Sequence, residues 1–119
     1  MNNDQNLKKE IPIDYSSVLE RVGEDESFLQ ELINIYMEDF GKKYEELKQA
    51  LEKKNFTALR EIGHSLKGSS ANLSLNNLKE ASFKIETAGK NRNIEIAKQA
   101  LLLLNQEFIR LKDFLSKKK

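Results

Sequence analysis

The sequence predicts an all-α protein, an up-down-up-down antiparallel four-helix bundle with a short N-terminal helix. Three observations carry that prediction. Apolar residues recur at steps of three and four over most of the chain. Valine, isoleucine and threonine do not gather into alternating runs, so strands have little support. One proline and five glycines in 119 residues leave few breaks, and connections that short force consecutive helices to lie antiparallel.

Each element has its own signal. Residues 1–10 read as a disordered lead, residues 11–116 as the bundle, and Lys117 to Lys119 as a solvated basic tail. Ile11-Pro12-Ile13 is expected to be extended, because proline restricts its predecessor. Ser16 to Val22 reads as a short helix with Val18, Leu19 and Val22 inward, and Asp25 is placed to cap the next helix. From Glu26 to about Lys53, Leu29, Ile33, Tyr36, Phe40, Tyr44, Leu47 and Leu51 mark one long helix, or two joined near Gly41. Asn55 can cap a second main helix carrying Phe56, Leu59, Ile62, Leu66 and Leu73. Ser74 can cap a third, with Leu78, Ala81, Ile85 and Ala88, ending at Gly89 as a glycine just past the helix. After the polar turn Lys90–Asn93, the last helix shows an unbroken bundle seam: Ile94, Ala97, Leu101, Leu104, Phe108, Leu111 and Leu115.

Composition excludes several classes of function. Lys plus Arg is 20 against Asp plus Glu 19, a formal net charge of +1, which argues against a nucleic-acid groove. There is no cysteine, so disulfide frameworks and thiolate metal sites are excluded and a reducing compartment fits. The polar start carries no apolar signal region, and apolar runs such as Ala100 to Leu104 are too short to span a bilayer. The expected location is cytoplasmic, without membrane insertion.

The chain has a single histidine, His64. Successive helical residues turn by roughly 100°, so Leu59, Ile62, Leu66 and Leu73 share one side while His64 points away from them. Arg60 lies at i−4, Glu61 at i−3, Lys67 at i+3 and Gly68 at i+4, all on the histidine's stripe. Glycine inside a helix costs about 1 kcal/mol relative to alanine, yet folding does not demand a small residue on a wet face. Its bareness lets another surface, or a group carried on the imidazole, approach closely. Lys67 supplies a mobile cation for an anion held there. Imidazole in water titrates near neutrality, leaving a neutral nucleophilic nitrogen available. The face suits an imidazole that carries a phosphoryl group; a surface histidine with no task at a fraying helix end is the alternative, against which Leu73 continues the apolar stripe.

The run His64-Ser65-Leu66-Lys67-Gly68-Ser69-Ser70-Ala71-Asn72-Leu73 closely resembles the signature of histidine-containing phosphotransfer (HPt) domains, modules of two-component phosphorelays. The resemblance extends from about Val22 to Leu115 and includes the Gly-Glu-Asp-Glu lead-in, Asn55-Phe56, Ile85-Glu86 and Ala88-Gly89. It implies that His64 accepts a phosphoryl group from a receiver-domain aspartate, or from a kinase, and donates it to another receiver aspartate. It also implies that Lys67 stabilises the phosphoryl charge, that Gly68 keeps the site open, and that Ser69 and Ser70 pack toward neighbouring helices. Ser74 departs from the pattern, where many members have glycine. The implied partners are receiver domains of response regulators or a hybrid histidine kinase, with Arg60, Glu61, Lys67, Ala71 and Lys84 as expected docking residues and Phe83 as an aromatic that either docks a partner or packs on the N-terminal segment. The chain is then a phosphoryl carrier rather than an enzyme and a monomer, with no bound cofactor or metal and Mg²⁺ expected on the partner.

Other functions fit less well. A non-phosphorylated adaptor of the same fold leaves the intact histidine without a role. A metal or hydrolytic site has one histidine, the neighbouring Glu61 and no cysteine, a poor ligand set, and Ser65 points elsewhere on the helix. A sensor-kinase dimerisation helix usually has an acidic residue after its histidine, where Ser65 stands.

Overall fold

The computed structural model describes residues 11–117; the expected disordered lead and the last two lysines lie outside them. Five helices and no strand are found among the described residues: α1 (Tyr15–Arg21), α2 (Glu26–Glu52), α3 (Phe56–Asn72), α4 (Asn76–Lys90) and α5 (Ile94–Lys117). α2 to α5 close the four-helix bundle, and α1 packs against α2. α2 runs unbroken through Gly41. Lys117 belongs to the last turn of α5, paired with Asp113 at 3.1 Å, rather than to a tail.

Local chemistry sets the helix starts. Asp14, Asp25, Asn55 and Asn93 each accept a hydrogen bond from a backbone N–H three residues on, at 3.0–3.2 Å. Ser74 is not the cap expected from its type. The residue before α4 is Leu75, which has no side-chain cap, and Ser74 sits in the left-handed region at φ 54°. Its hydroxyl instead accepts a 2.7 Å bond from Arg21, whose guanidinium also reaches the Asn72 carbonyl and so ties α1 to the α3–α4 turn.

One turn design joins the main helices. Residues 53–55, 73–75 and 91–93 connect them, with Lys54, Ser74 and Arg92 at φ 54–55°. The next amide donates back across five residues, from Asn55 to Ala50, Leu75 to Ser70 and Asn93 to Ala88, at 2.8–2.9 Å. This is the Schellman arrangement. Only glycine enters that region freely, so Ser74 holds the turn at a backbone cost. Gly89 is not such a residue: α4 continues to Lys90, and Gly89 is buried inside it.

The core follows the predicted stripes. Leu29, Phe40 and Leu47 of α2, Leu59 and Leu66 of α3, Leu78 and Ile85 of α4, and Leu104 and Leu111 of α5 are sealed from water. Each such side chain contributes about 1.5–3 kcal/mol. Phe40 stacks on Phe108 with ring centroids 3.8 Å apart. Tyr36 and Ser70 exchange a buried 2.8 Å hydrogen bond between α2 and α3, and burial pushes the Tyr36 phenol far above its ordinary pKa.

α3 and α4 make the closest contact, backbone against backbone. A Cβ on Gly63 would lie 2.7 Å from the Glu86 nitrogen and 3.0 Å from the Ser82 carbonyl oxygen. One on Gly89 would lie 2.6 Å from the Arg60 nitrogen and 2.7 Å from the Phe56 oxygen. Rigid backbone cannot yield as a side-chain tip would. Gly63→Ala is therefore expected to lower the free energy of urea unfolding by about 1–3 kcal/mol. Lys54→Gly, which relieves a left-handed lysine on the surface, is expected to raise it by about 0.5–1 kcal/mol.

Candidate functional site

α3 turns Leu59, Gly63, Leu66 and Ser70 toward the bundle. His64 is thereby left outside, with its side chain 69% exposed. It follows Gly63 directly, so the ring stands beside the seam with α4. Across that seam Glu86 of α4, whose side chain is only 19% exposed, reaches the ring: His64 Nδ1 lies 2.9 Å from Glu86 Oε2. The other carboxylate oxygen, Oε1, is buried and lies 2.7 Å from Lys67 Nζ. The same ammonium sits 5.0 Å above the Phe83 ring, a favourable cation–π position.

One carboxylate therefore holds both residues of the motif. Lys67 is the main cause that holds the Glu86 carboxyl below its ordinary pKa; partial burial opposes it, and the bond to His64 adds to it. An ionised carboxylate can only accept, so Nδ1 is the nitrogen that carries hydrogen and donates. In the neutral ring the free lone pair then sits on Nε2. Among the described residues no polar group engages Nε2. The ring is held at one nitrogen and open at the other, the state a nucleophilic imidazole requires.

The expected docking residues divide. Arg60 and Glu61 line a cleft of about 610 Å³ beside His64 and Glu86, together with Phe56, Thr57, Gly89, Lys90 and Arg92. The Arg92 guanidinium lies 4.8 Å from the Phe56 ring centre. Gly68 is open: a Cβ there meets nothing within 4 Å. Ala71 is half-buried two turns along α3. Lys84 does not join the site. It lines a groove between α4 and α5 with Ile96, Gln99, Ala100 and Leu103, because two residues along a helix amount to roughly 200° from the Glu86 direction. Phe83 is 53% exposed and lies under Lys67. Ser70 packs toward α2 as the resemblance implies, while Ser69, half-buried, donates to the Leu66 carbonyl of its own helix.

Sequence reasoning placed Glu61 on the histidine's stripe and missed Glu86 as a site residue. The signal was present in Gly63 and Gly89, two small residues on consecutive helices that mark where backbones meet.

Fold and site together define a helical bundle that displays one exposed histidine from the middle of a helix. A model of the Hpt domain family matches residues 31–114, and the chain belongs to that family. Phosphorelay intermediate protein YPD1 of Candida albicans (strain SC5314 / ATCC MYA-2876) is 27% identical over 81 residues, which cover 68% of this chain and 44% of that protein. The chain thus spans less than half of that relative. The crystal structure of histidine-containing phosphotransfer protein B (HptB) from Pseudomonas aeruginosa PAO1 shares the fold, with a TM-score of 0.82 at 20% identity, covering 90% of this chain and 93% of that one. No helix among the described residues is long and apolar enough to cross a membrane.

The Glu86 contacts make stability depend on pH. Its carboxyl titrates lower in the folded state than in the unfolded chain, so ionisation favours folding. The contribution is complete above the ordinary glutamate range and disappears as pH falls through the folded-state value. In urea unfolding, Glu86→Gln is expected to be less stable than the parent at neutral pH, with the gap closing on the acid side; a gap independent of pH would mean that the charge contributes nothing.

Proposed function

We propose that this chain is a phosphorelay intermediate. His64 accepts a phosphoryl group from the aspartyl phosphate of a receiver domain, or from a kinase, and donates it to an aspartate of another receiver domain. The observation that carries this reading is the half-held ring: Nδ1 donates to Glu86 at 2.9 Å while Nε2 faces solvent. The names of the matched relatives, a phosphorelay intermediate and a histidine-containing phosphotransfer protein, support it.

In acceptance the Nε2 lone pair attacks phosphorus. The bond from phosphorus to the aspartyl oxygen breaks, and its electron pair returns to the carboxylate. Positioning and charge stabilisation supply most of the acceleration in such transfers. Lys67, held one turn from the ring, brings a cation to the arriving phosphoryl oxygens. The acidic pocket and Mg²⁺ belong to the receiver, so the chain is a carrier rather than an enzyme, working as a monomer. Gly68 spares the partner's approach, since a side chain there would project into open space rather than into this chain.

The cleft beside His64 provides a docking surface for an acidic partner. Arg60 and Lys90 are exposed and make no ion pair among the described residues, so an approaching carboxylate-rich face meets cations without displacing internal partners. Such complementarity acts mostly on association rate.

Two variants test the reading. With a phosphorylated receiver as donor, His64→Gln is expected to lose labelling while keeping the helical circular dichroism of the parent; a labelled, folded variant would sink the proposal. Arg60→Glu is expected to slow transfer from the receiver by about tenfold or more at low salt and to leave labelling by the small donor phosphoramidate unchanged.

A further inference from the structure

We infer that Glu86 is a positioning residue that keeps a proton on His64 Nδ1 through the whole phosphoryl cycle, so that the phosphorylated ring remains in the form that can release its phosphoryl group. This rests on His64 being the residue that carries phosphoryl, and it adds a residue on a second helix to the His64–Lys67–Gly68 motif.

The chemistry sets the requirement. When Nε2 of the neutral ring bonds to phosphorus, the ring retains its Nδ1 proton and becomes positively charged. Release breaks the Nε2–P bond and returns the electron pair to Nε2. With the proton still on Nδ1 the departing group is neutral imidazole. If that proton has been lost, the departing group is an imidazolate anion, which leaves far less readily. A carrier that must give as well as receive therefore has to hold this proton at working pH.

Glu86 is built for that task. Its Oε2 lies 2.9 Å from Nδ1, in reach of a charge-assisted bond to the positive ring. The side chain is mostly buried, and its backbone is pinned against Gly63, so the carboxylate does not drift with solvent. Lys67 on Oε1 keeps the group ionised, which leaves the proton on the ring rather than on the carboxylate. The other charges near the pair are Arg60 and Glu61 on α3, Lys90 on α4 and Arg92 in the turn after it, all lining the cleft. None of them is paired with Glu86 among the described residues.

Lys67 couples the two halves of the cycle. Once phosphoryl arrives, its oxygens compete with Glu86 for the same ammonium. As Lys67 moves toward them, Glu86 loses its cation and becomes the stronger base toward Nδ1–H. The hold on the proton tightens when the ring becomes positive and relaxes after the phosphoryl has gone.

The test separates charge from shape. The intact chain and its Glu86→Gln variant are phosphorylated with phosphoramidate, and decay of phosphohistidine is followed by ³¹P NMR from mildly acidic to alkaline pH. The glutamine carbonyl can still accept from Nδ1–H, so the ring stays in place while the negative charge is gone. Decay slows on the alkaline side as the Nδ1 proton is lost. In Glu86→Gln that fall is expected about one pH unit or more lower than in the parent, which makes the phosphohistidine about tenfold longer-lived in the window between. A purely structural role for Glu86 would not move the profile. Ring ¹⁵N spectra of the unphosphorylated proteins add a second readout: the parent is expected to hold hydrogen on Nδ1, and Glu86→Ala to lose that preference.

The failures are distinguishable. A labelled parent whose decay profile coincides with that of Glu86→Gln, or a parent ring with its hydrogen on Nε2, overturns the inference and leaves the phosphorelay reading standing. A chain whose His64 takes no label from phosphoramidate or from any receiver overturns the phosphorelay reading and this inference with it.

Discussion

The contact on which the site depends is the bare meeting of two backbones at Gly63 and Gly89. At 2.6–2.7 Å from the nearest backbone atoms, neither position has room for a Cβ. Side chains at both would push α3 and α4 apart, and neighbouring helices separated by ordinary side chains lie 8–10 Å apart. Glutamate is short: its carboxylate reaches His64 and Lys67 only because Gly63 lets the Glu86 backbone come up against α3. The geometry around the imidazole is thus set by the absence of side chains one residue before it and three residues after its partner.

That closeness also settles the electrostatics. A carboxylate at a partly dry seam is costly unless its oxygens are occupied. Glu86 gives one oxygen to an ammonium and the other to an imidazole N–H. Histidine remains mostly solvated, whereas glutamate is mostly covered. This division lets the buried partner define the tautomer while the exposed one stays open to solvent. Phe83 completes the arrangement by bounding Lys67, its ring centre 5.0 Å from the ammonium.

What the sequence made legible follows from which relations are local. His64, Lys67 and Gly68 lie within two turns of one helix, and their common face is a matter of helical phase alone. The seam of α5 was legible for the same reason: Ala97, Leu101, Leu104 and Leu111 are buried where the period places them. Glu86 was not, because its distance from His64 depends on how two helices are registered, and no period within either helix encodes that. Gly89 was read as a helix stop because glycine commonly ends helices, yet here its use is packing. Ser74 was read as a cap because serine caps well. The three-residue turn instead needs a left-handed residue at that position, two before the helix starts. Lys84 was placed on the rim as a charge on the following helix, although its phase turns it toward α5.

The turns now acquire a role beyond connection. Each of the three joins its helices through the same backbone closure, and in each the left-handed position is held by a residue other than glycine. Left-handed conformations cost such residues roughly 1 kcal/mol, so local preference does not select them. A slip of one turn between α3 and α4 would move Glu86 by about 5.4 Å along the seam, beyond reach of both oxygens' partners, and would bring Cβ-bearing residues to the positions of Gly63 and Gly89. The closed turn at Ser74 excludes that slip by fixing how far α4 starts from the end of α3. Arg21 reinforces it from outside by binding the Asn72 carbonyl and the Ser74 hydroxyl together. The small helix α1 therefore acts on the site at a distance: by clasping the turn, it holds the register that sets a carboxylate against the imidazole.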